Sequence, residues 1–551
     1  MSNIFNVGTS ALNALQRAIS TTGNNIANVN TEGYSRQEVE FRSRTPDAVG
    51  GHRIGTGVEI SSIRRAYDQF LTADVQARSS SSSYYGLYAT TAEQIDNLMA
   101  DPMTSISSAM DQFFASMEAV ANSPASQPER QVMLSEAQTL TSRFQYVDGR
   151  LRELAENLNE QMNVFALDIN QYISDINQLN GQISRLERVP GASPNDLLDQ
   201  RDRALEGLSQ LIRIDARPQE DGAINVYTAT GHRLVSQAGA ETVRLVPGAE
   251  PDSAMGLFVS AAGGADSELT NFSLGGKMGA AMDVSNTIVN STRRALGLLA
   301  VAFTEAFNQQ HKLGDTLNQG DGGDFFSQIS PTVEASETNS GTVSVVASIA
   351  DAAQLTGATY SVTYTDSGVT VRNLDTDAVL EVSEFDVNGE AIVTLDGIGF
   401  VIGSFSNQTD GDSFVIDATG YAASSFAVAI TDTSDIAAAN REGNVGDNRN
   451  MLRLIDLRDA NNLKGGTQSL YDIYNNAVAS IAVDTRSARA NADTEQSLLQ
   501  SVTDRRDGIT GVNLEEEAAN LIRYQQAYQA AAQIITTAND VFDTLLRATS
   551  R

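Results

Sequence analysis

Asn513-Leu-Glu-Glu-Glu-Ala-Ala-Asn-Leu-Ile-Arg-Tyr-Gln-Gln-Ala-Tyr-Gln-Ala-Ala-Ala-Gln-Ile-Ile-Thr-Thr-Ala-Asn-Asp-Val-Phe-Asp-Thr-Leu-Leu-Arg-Ala-Thr-Ser-Arg551 closes the chain. Its seam is Leu514, Ala518, Leu521, Gln525, Tyr528, Ala532, Ile535, Asn539, Phe542 and Leu546, in alternating steps of four and three. That spacing predicts a helix with a coiled-coil seam. Asn513 suits the cap, and Glu516 lies three residues on, as a capping box requires. Glu515, Glu516 and Glu517 at the start and Arg547 and Arg551 near the end complement the helix dipole. Gln525 and Asn539 are polar seam positions that weaken a pair but specify its register.

The other end of the chain mirrors this one. From Ser10, Leu12, Leu15, Ile19 and Ile26 fall at helical spacing, with Thr22 in the gap. Neither stripe is wide enough to stabilise an isolated helix. The two helices therefore either pair with each other and with neighbouring copies, or pack onto a helical core.

Between the ends the pattern changes three times. Residues 31 to 75 carry turn glycines around QEVEFRS and GVEISSIRR, which alternate as strands do. Residues 84 to 188 read as helix. Ile106, Met110, Phe113, Met117 and Val120 form one stripe, ended by Pro124 and Pro128, and an eleven-residue stripe runs from Leu151 to Leu186. The second stripe predicts a rod of about 50 Å. Residues 211 to 275 read as β, with INVYTATGHRLV as two strands around Gly231, and helix returns at 277 to 311. From Pro331 to Ser424, Thr, Val, Ser, Asp and Gly dominate, with turns every eight to ten residues, which predicts an inserted all-β unit. From Asp435 the chain reads as helix again. The fold class is α+β and multidomain. Long coiled-coil helices stand at the termini, and a mainly helical middle carries β-hairpin segments and the inserted all-β unit.

Composition excludes much chemistry. The 551 residues hold 37 basic and 69 acidic side chains, a net charge of −32. Non-specific nucleic-acid binding needs clustered cations, and basic membrane-surface binding does too. No nucleic-acid or membrane partner is expected. With no Cys, thiolate sites and disulfides are ruled out. The three His (His52, His232 and His311) lie far apart and outside any HExxH pattern, so no metal or cofactor is expected. No nucleophile elbow or phosphate loop occurs. Asn373, Asp375, Asp377 and Glu384 imitate an EF-hand loop, but Ala378 stands where the turn needs Gly, so a hairpin turn is expected. The first twenty residues lack the basic and apolar regions of a cleavable signal, and no apolar run approaches membrane-spanning length. A soluble, non-enzymatic protein is expected.

Asn24-Asn-Ile-Ala-Asn28-Val-Asn30-Thr-Glu-Gly33-Tyr34-Ser-Arg36 resembles the motif shared by the axial proteins of the bacterial flagellum, with Glu32 where the usual form has Pro. The stretch Gly55-x-Gly57-Val58-x-Ile60-x-x-Ile63-x-Arg65-x-Tyr67-Asp68 looks like a second block of the hook-associated protein 1 family. Gly275-Gly276-Lys277, Ala306-Phe307-Asn308-x-x-His311 and the 513–528 segment are similar to further blocks of that family.

The resemblance implies a homo-oligomeric ring at the junction of hook and filament. Its implied partners are the hook protein, a second hook–filament junction protein and a flagellar export chaperone. It also implies an extracellular location in the flagellum, reached by type III export without a cleaved signal. Hook or distal rod protein, or an adhesin acting through the β unit, are the alternatives. The division implied is 1–45 with 508–551 as an inner tube, 46–330 with 425–507 as a mainly helical core, and 331–424 as an outer β domain. The assembly interface is expected at Leu12, Leu15, Ile19, Ile26, Asn28, Asn30, Gly33 and Tyr34, against Leu514, Ala518, Leu521, Gln525, Tyr528, Ala532, Ile535, Phe542 and Leu546.

Overall fold

The computed structural model describes residues 2–549, apart from 50–51, 103, 190–192, 247–254, 261–265, 270–273, 337–338, 342, 366–367, 383–390, 404–410 and 462. Its helices in chain order are α1 (Ser2–Ala27), α2 (Gln69–Ala100), α3 (Ile106–Asn122), α4 (Gln127–Glu187), α5 (Asn195–Leu211), α6 (Gly276–Val284), α7 (Asn290–His311), α8 (Ala422–Ser425), α9 (Arg449–Asp456), α10 (Leu470–Thr510) and α11 (Leu514–Thr549). The α+β class expected from the pattern is the one observed.

The stripe from Leu151 to Leu186 belongs to a longer element than its spacing implied. α4 has 61 residues, about 90 Å of helix at 1.5 Å per residue. Ser126 caps it, accepting from the Glu129 amide, and Pro128 sits in its first turn. Pro128 therefore opens α4 and does not end α3, because a first-turn amide has no helical partner to lose. α3 stops at Asn122, before Pro124. The segment after Asp435 is also less helical than expected. Among the described residues up to Ser469 its α-helix is the eight-residue α9, set among turns and the short strand Ala439–Asn440.

α2 and α10 run antiparallel along each other. Arg78 pairs with Glu495 (3.2 Å), Arg489 with Glu93 (3.2 Å), and the Tyr474 hydroxyl donates to the Met99 carbonyl (2.9 Å). Six phenylalanines, Phe113, Phe114, Phe303, Phe307, Phe325 and Phe326, cluster where α3 and α7 converge, with centroid separations from 4.8 Å upward, and Phe303 and Phe326 of this group meet Phe426. Such edge-to-face and tilted contacts add to what area burial supplies. Beside them a fully buried Asp148 on α4 holds Arg293 of α7 (3.3 Å) and Arg152 (2.6 Å). Arg293 also donates to the Gly420 carbonyl (3.1 Å). This locks the helices to the segment that leaves the outer strands. Between α6 and α7 a π turn at Ser285–Val289 keeps one helical path from Gly276 to His311.

The strands lie where alternation placed them. Gln37–Ser43 and Val58–Arg65 form an antiparallel hairpin, with a shorter pair, Asp47–Val49 and His52–Ile54, at its end. Ile224–Thr228 and Arg233–Ser236 pair around Gly231. The outer strands form two antiparallel sheets. The five-stranded sheet has the order 332–335, 413–417, 359–365, 368–373, 379–382, and the three-stranded sheet has the order 345–349, 398–402, 391–395. Tyr360, Val362, Ile398, Phe400 and Ile416 are buried between them.

The EF-hand imitation is a hairpin turn. Asn373 Oδ1 accepts from the amides of Asp375 and Thr376 (3.0 Å each), Asp375 pairs with Arg294, and Asp377 takes a positive φ of 58°. Glu384 lies outside the described residues.

Two expectations follow. At Gly297 on α7, an added Cβ would collide with the Thr419 carbonyl. Gly297→Ala should cost about 2 kcal/mol or more, read as a lower denaturant midpoint. His311 is fully buried. Its Nδ1–H donates to the Gly323 carbonyl (2.8 Å) and its Nε2 accepts from the Ala437 amide (2.9 Å). Burial pushes this imidazole down to about 4, whereas the unfolded chain takes up the proton near 6.5. Its contribution is therefore complete at neutral pH and is lost as pH falls from about 6.5 towards 4. Imidazole NMR should show His311 still neutral at pH 5.5.

Candidate assembly interface

α1 and α11 pair antiparallel at the edge of the molecule. Gly8 approaches Ile535 so closely that a Cβ there would lie 2.6 Å from Ile535 Cγ1. At the other end of the pair, the Arg36 guanidinium reaches Glu516. The buried face of α1 is Gly8, Ala14, Ala18, Thr21, Thr22 and Asn25. On α11 the packed positions are Glu517, Leu521, Tyr524, Ala527, Ala531, Ile535 and Ala538, in steps of three and four.

This face is offset from the seam that heptad reading selects. Of that seam, Leu521, Ala532 and Ile535 are half-buried. Leu514, Ala518, Gln525, Tyr528, Asn539, Phe542 and Leu546 are exposed. Leu12, Leu15, Ile19 and Ile26 of α1 are all half-buried at the rim. Small residues on α1 let the backbones approach, so Gly8, Ala14 and Ala18 line its buried face, while several large side chains of α11 remain outside the pair. Phe542 and Leu546 are each 50 % exposed, and Ile522, Ile534, Val541 and Leu545 are exposed beside them. Ile4, Ala530, Ile534, Ala538 and Val541 line an apolar groove of about 410 Å³ along this surface.

The Asn-rich motif turns the chain out of α1. Asn25, absent from the expected interface, is its centre. It is 1 % exposed and makes three hydrogen bonds: Nδ2 to the Gln37 carbonyl (2.9 Å), and Oδ1 from the Tyr34 hydroxyl (2.8 Å) and the Gln37 amide (3.0 Å). Burial, with Asp196, Asp199 and Glu517 nearby, pushes the Tyr34 phenol up to about 12, so it donates throughout the ordinary pH range. Asn28 holds the helix end, donating to Asn24 and accepting from Thr31. Asn30 is exposed. Gly33 takes a φ of 70°, with the Arg203 stem packed against it and the Arg203 guanidinium on the Glu32 carbonyl (2.7 Å).

The turn is then clamped from two sides. On the α5 side, Asp199 accepts from the Ser35 amide (3.1 Å) and shares Arg65 with Asp202 (2.8 and 2.6 Å). On the other side, the Arg36 amide donates to the Thr510 carbonyl (2.8 Å), and its guanidinium holds Glu516 (2.8 Å) and Glu38 (2.8 Å). Asn513 caps α11 as expected, accepting from the Glu515 amide (3.0 Å). Glu516 is engaged by Arg36 rather than in the reciprocal half of a capping box.

Comparison with known proteins agrees along the whole length. The family described as flagellar hook-associated protein FlgK helical domain matches residues 92–326. The flagella basal body rod protein family matches 5–34, and the flagellar basal body rod FlgEFG protein C-terminal family matches 509–548. Flagellar hook-associated protein 1 of Escherichia coli K12 is 32 % identical over 550 residues, 99 % of this chain and 100 % of that one. The chain belongs to the flagellar hook-associated protein 1 family. The Salmonella typhimurium member is likewise 32 % identical, over 99 % of this chain and all of its own. The Bacillus subtilis member is 24 % identical over 97 % of this chain and 96 % of its own. The solved flagellar hook junction protein FlgK of Burkholderia pseudomallei shares the fold, with a TM-score of 0.71 at 22 % identity, covering 80 % of this chain and all of that one.

A hook-associated protein 1 is a structural component of the flagellum at the hook–filament junction, and the expected function stands. The families at the two ends coincide with the paired helices and the clamped turn, and the FlgK helical domain coincides with α3, α4 and the phenylalanine cluster. Among the described residues no group of three or more His, Cys, Asp or Glu is placed to hold a metal ion, and no helix is long and apolar enough to cross a membrane.

Asn25→Ala should destabilise the junction of α1 with the hairpin by about 2–3 kcal/mol, because it strands the Tyr34 hydroxyl and the Gln37 amide. Hydrogen exchange should rise at residues 28–37 while α4 and α7 keep their protection.

Proposed function

We propose that copies of this chain form a ring through α1 and α11, with the exposed side chains of one pair buried by the helices of its neighbours. The observation that carries this reading is the apolar ridge on α11. Ile522, Ile534, Val541, Phe542, Leu545 and Leu546 are all exposed in the single chain. Ile534 and Val541 also line the apolar groove with Ile4, Ala530 and Ala538, and exposed apolar surface of this kind marks a protein contact. The expected residues Leu514, Tyr528, Phe542 and Leu546 are exposed on α11 and so free to meet a neighbour, and Gln525 and Asn539 supply polar positions that select register. Head-to-tail contacts between identical subunits build rings or tubes according to the rotation between them.

In this reading residues 1–45 with 508–551 line the inner tube. Residues 46–330 with 425–507 form the layer around it, and 331–424 face outward. The hook protein adjoins one side of the ring and a second junction protein the other. An export chaperone covers the α11 ridge before secretion, which proceeds without a cleaved signal. The role is mechanical, with no catalytic step. The absence of Cys suits passage as an unfolded chain.

The contact surface selects the test. Leu521 and Ile535 pack against α1, so charging them would disturb the pair within one molecule as well as contacts between molecules. Ile534 and Val541 are 45 % and 48 % exposed. Ile534→Asp with Val541→Asp should leave circular dichroism and the melting midpoint of the purified chain unchanged. In the source bacterium it should produce bare hooks and flagellin in the medium. Normal filaments in that strain would refute the reading.

A further inference from the structure

α11 carries two heptad-spaced strips, one on each flank of the face that packs against α1. The first is the stretch Tyr528, Ala532, Ile535 and Asn539 of the seam, in steps of four, three and four, with Tyr528 and Asn539 exposed and Ala532 and Ile535 half-buried. The second is Ala530, Ile534, Thr537 and Val541, in the same steps and all exposed. This second strip lines the apolar groove together with Ile4 of α1. At 3.6 residues per turn the two strips lie about 160° apart around the helix, and each is about 16 Å long. Equal spacing and equal length let the side chains of two such helices mesh.

Charge points the same way. Neither strip holds an acidic or basic side chain, and none lines the groove, although the chain carries a net charge of −32. Two copies of such a chain repel over most of their surface. Along these strips they meet without opposing like charges. Each flank also offers an amide. Gln533 borders the groove and Asn539 belongs to the seam, and both are exposed. Neither side-chain amide has a hydrogen-bond partner in its own chain among the described residues. A polar residue in an apolar seam fixes register at a cost in stability. Seam against seam would join two copies and leave the groove of each open. Seam against groove uses both flanks of every copy, and heterologous contacts of this kind close into a ring when the rotation between subunits allows.

We propose that the α11 seam of one copy packs into the groove of the next copy around the ring, between its α11 and Ile4, with the amides of Asn539 and Gln533 setting the register. This pairing rests on the ring reading above and names which surface meets which.

The chain has no Cys, so an introduced thiol is unique. Two variants of the full-length chain, Asn539→Cys on the seam and Thr537→Cys in the groove, are co-expressed in the source bacterium, and sheared flagella are treated with a short bismaleimide. The expected product is a covalent dimer of this chain joining position 539 of one copy to position 537 of another. It should form in flagella that contain both variants and be lost in flagella of either variant alone. A dimer in flagella of a single variant would mean that like meets like, and would overturn the proposal. Intact filaments without a dimer, or a link to a different protein, would overturn it too. If the thiols block assembly, a benzophenone amino acid at Gln533 reads the same contact: the expected cross-linked peptide lies within Gln525–Leu546 of a second copy, and any other peptide refutes the pairing. Each of these failures leaves the ring reading standing, because that reading falls when Ile534→Asp with Val541→Asp supports normal filaments.

Discussion

Arg36 joins the two ends of a 551-residue chain. Its amide is bonded to Thr510, the last residue of α10, and its guanidinium to Glu516, in the first turn of α11. One side chain and one amide thereby fix where the incoming N-terminal segment meets the outgoing C-terminal helix. The direction of the α1–α11 pair relative to the rest of the molecule follows from that joint. It also depends on the Asn25 knot, which sets the exit angle of the chain from α1, and on Asp199, which holds the turn to α5. An amphipathic pair with little of its own to bury is held at a defined angle by polar contacts.

This arrangement suits a junction between two tubes. Length and regularity come from helices, in the pairing of α2 with α10 and in the long α4. Rigidity where the layers meet comes from groups costly to displace: the buried Asp148–Arg293 pair, the phenylalanine cluster and the close backbone approach at Gly297. Association is left to the outside, where α11 keeps large apolar side chains in solvent. The apolar surface that a single chain leaves uncovered is concentrated on α11.

Much of this was legible in the residues. The helix boundaries near Ala27, at Asn513 and before Pro124, the hairpin from Gln37 to Arg65, the outer strands and the false EF-hand all follow from local rules of period, cap and turn. Sequence and structure part where two local rules compete. Pro128 fits the end of one helix and the first turn of the next equally well, and only the Ser126 cap decides for the second. Glu516 satisfies a capping box on paper, yet a nearby guanidinium is the stronger partner for a carboxylate. Nothing in the sequence singles out Asn25, because an asparagine in an Asn-rich stretch looks like all the others. Its three hydrogen bonds go to two residues, nine and twelve positions away, and no spacing rule marks them.

The sequence by itself determined the class of the protein: its element types and their order, two unsupported terminal stripes, the absence of thiol chemistry, and a motif order that names the family. These are local or compositional properties, and they survive without knowledge of packing. Tertiary structure alone decided which faces of the terminal helices meet. A heptad pattern records where large apolar residues recur, but two helices approach most closely where side chains are smallest. Gly8 therefore admits Ile535 beside Ala531 to the inside, while Phe542 and Leu546, further along α11 than the stretch that Gly8 meets, stay exposed. Which surface is core and which is interface depends on that approach distance, a property of two segments about five hundred residues apart.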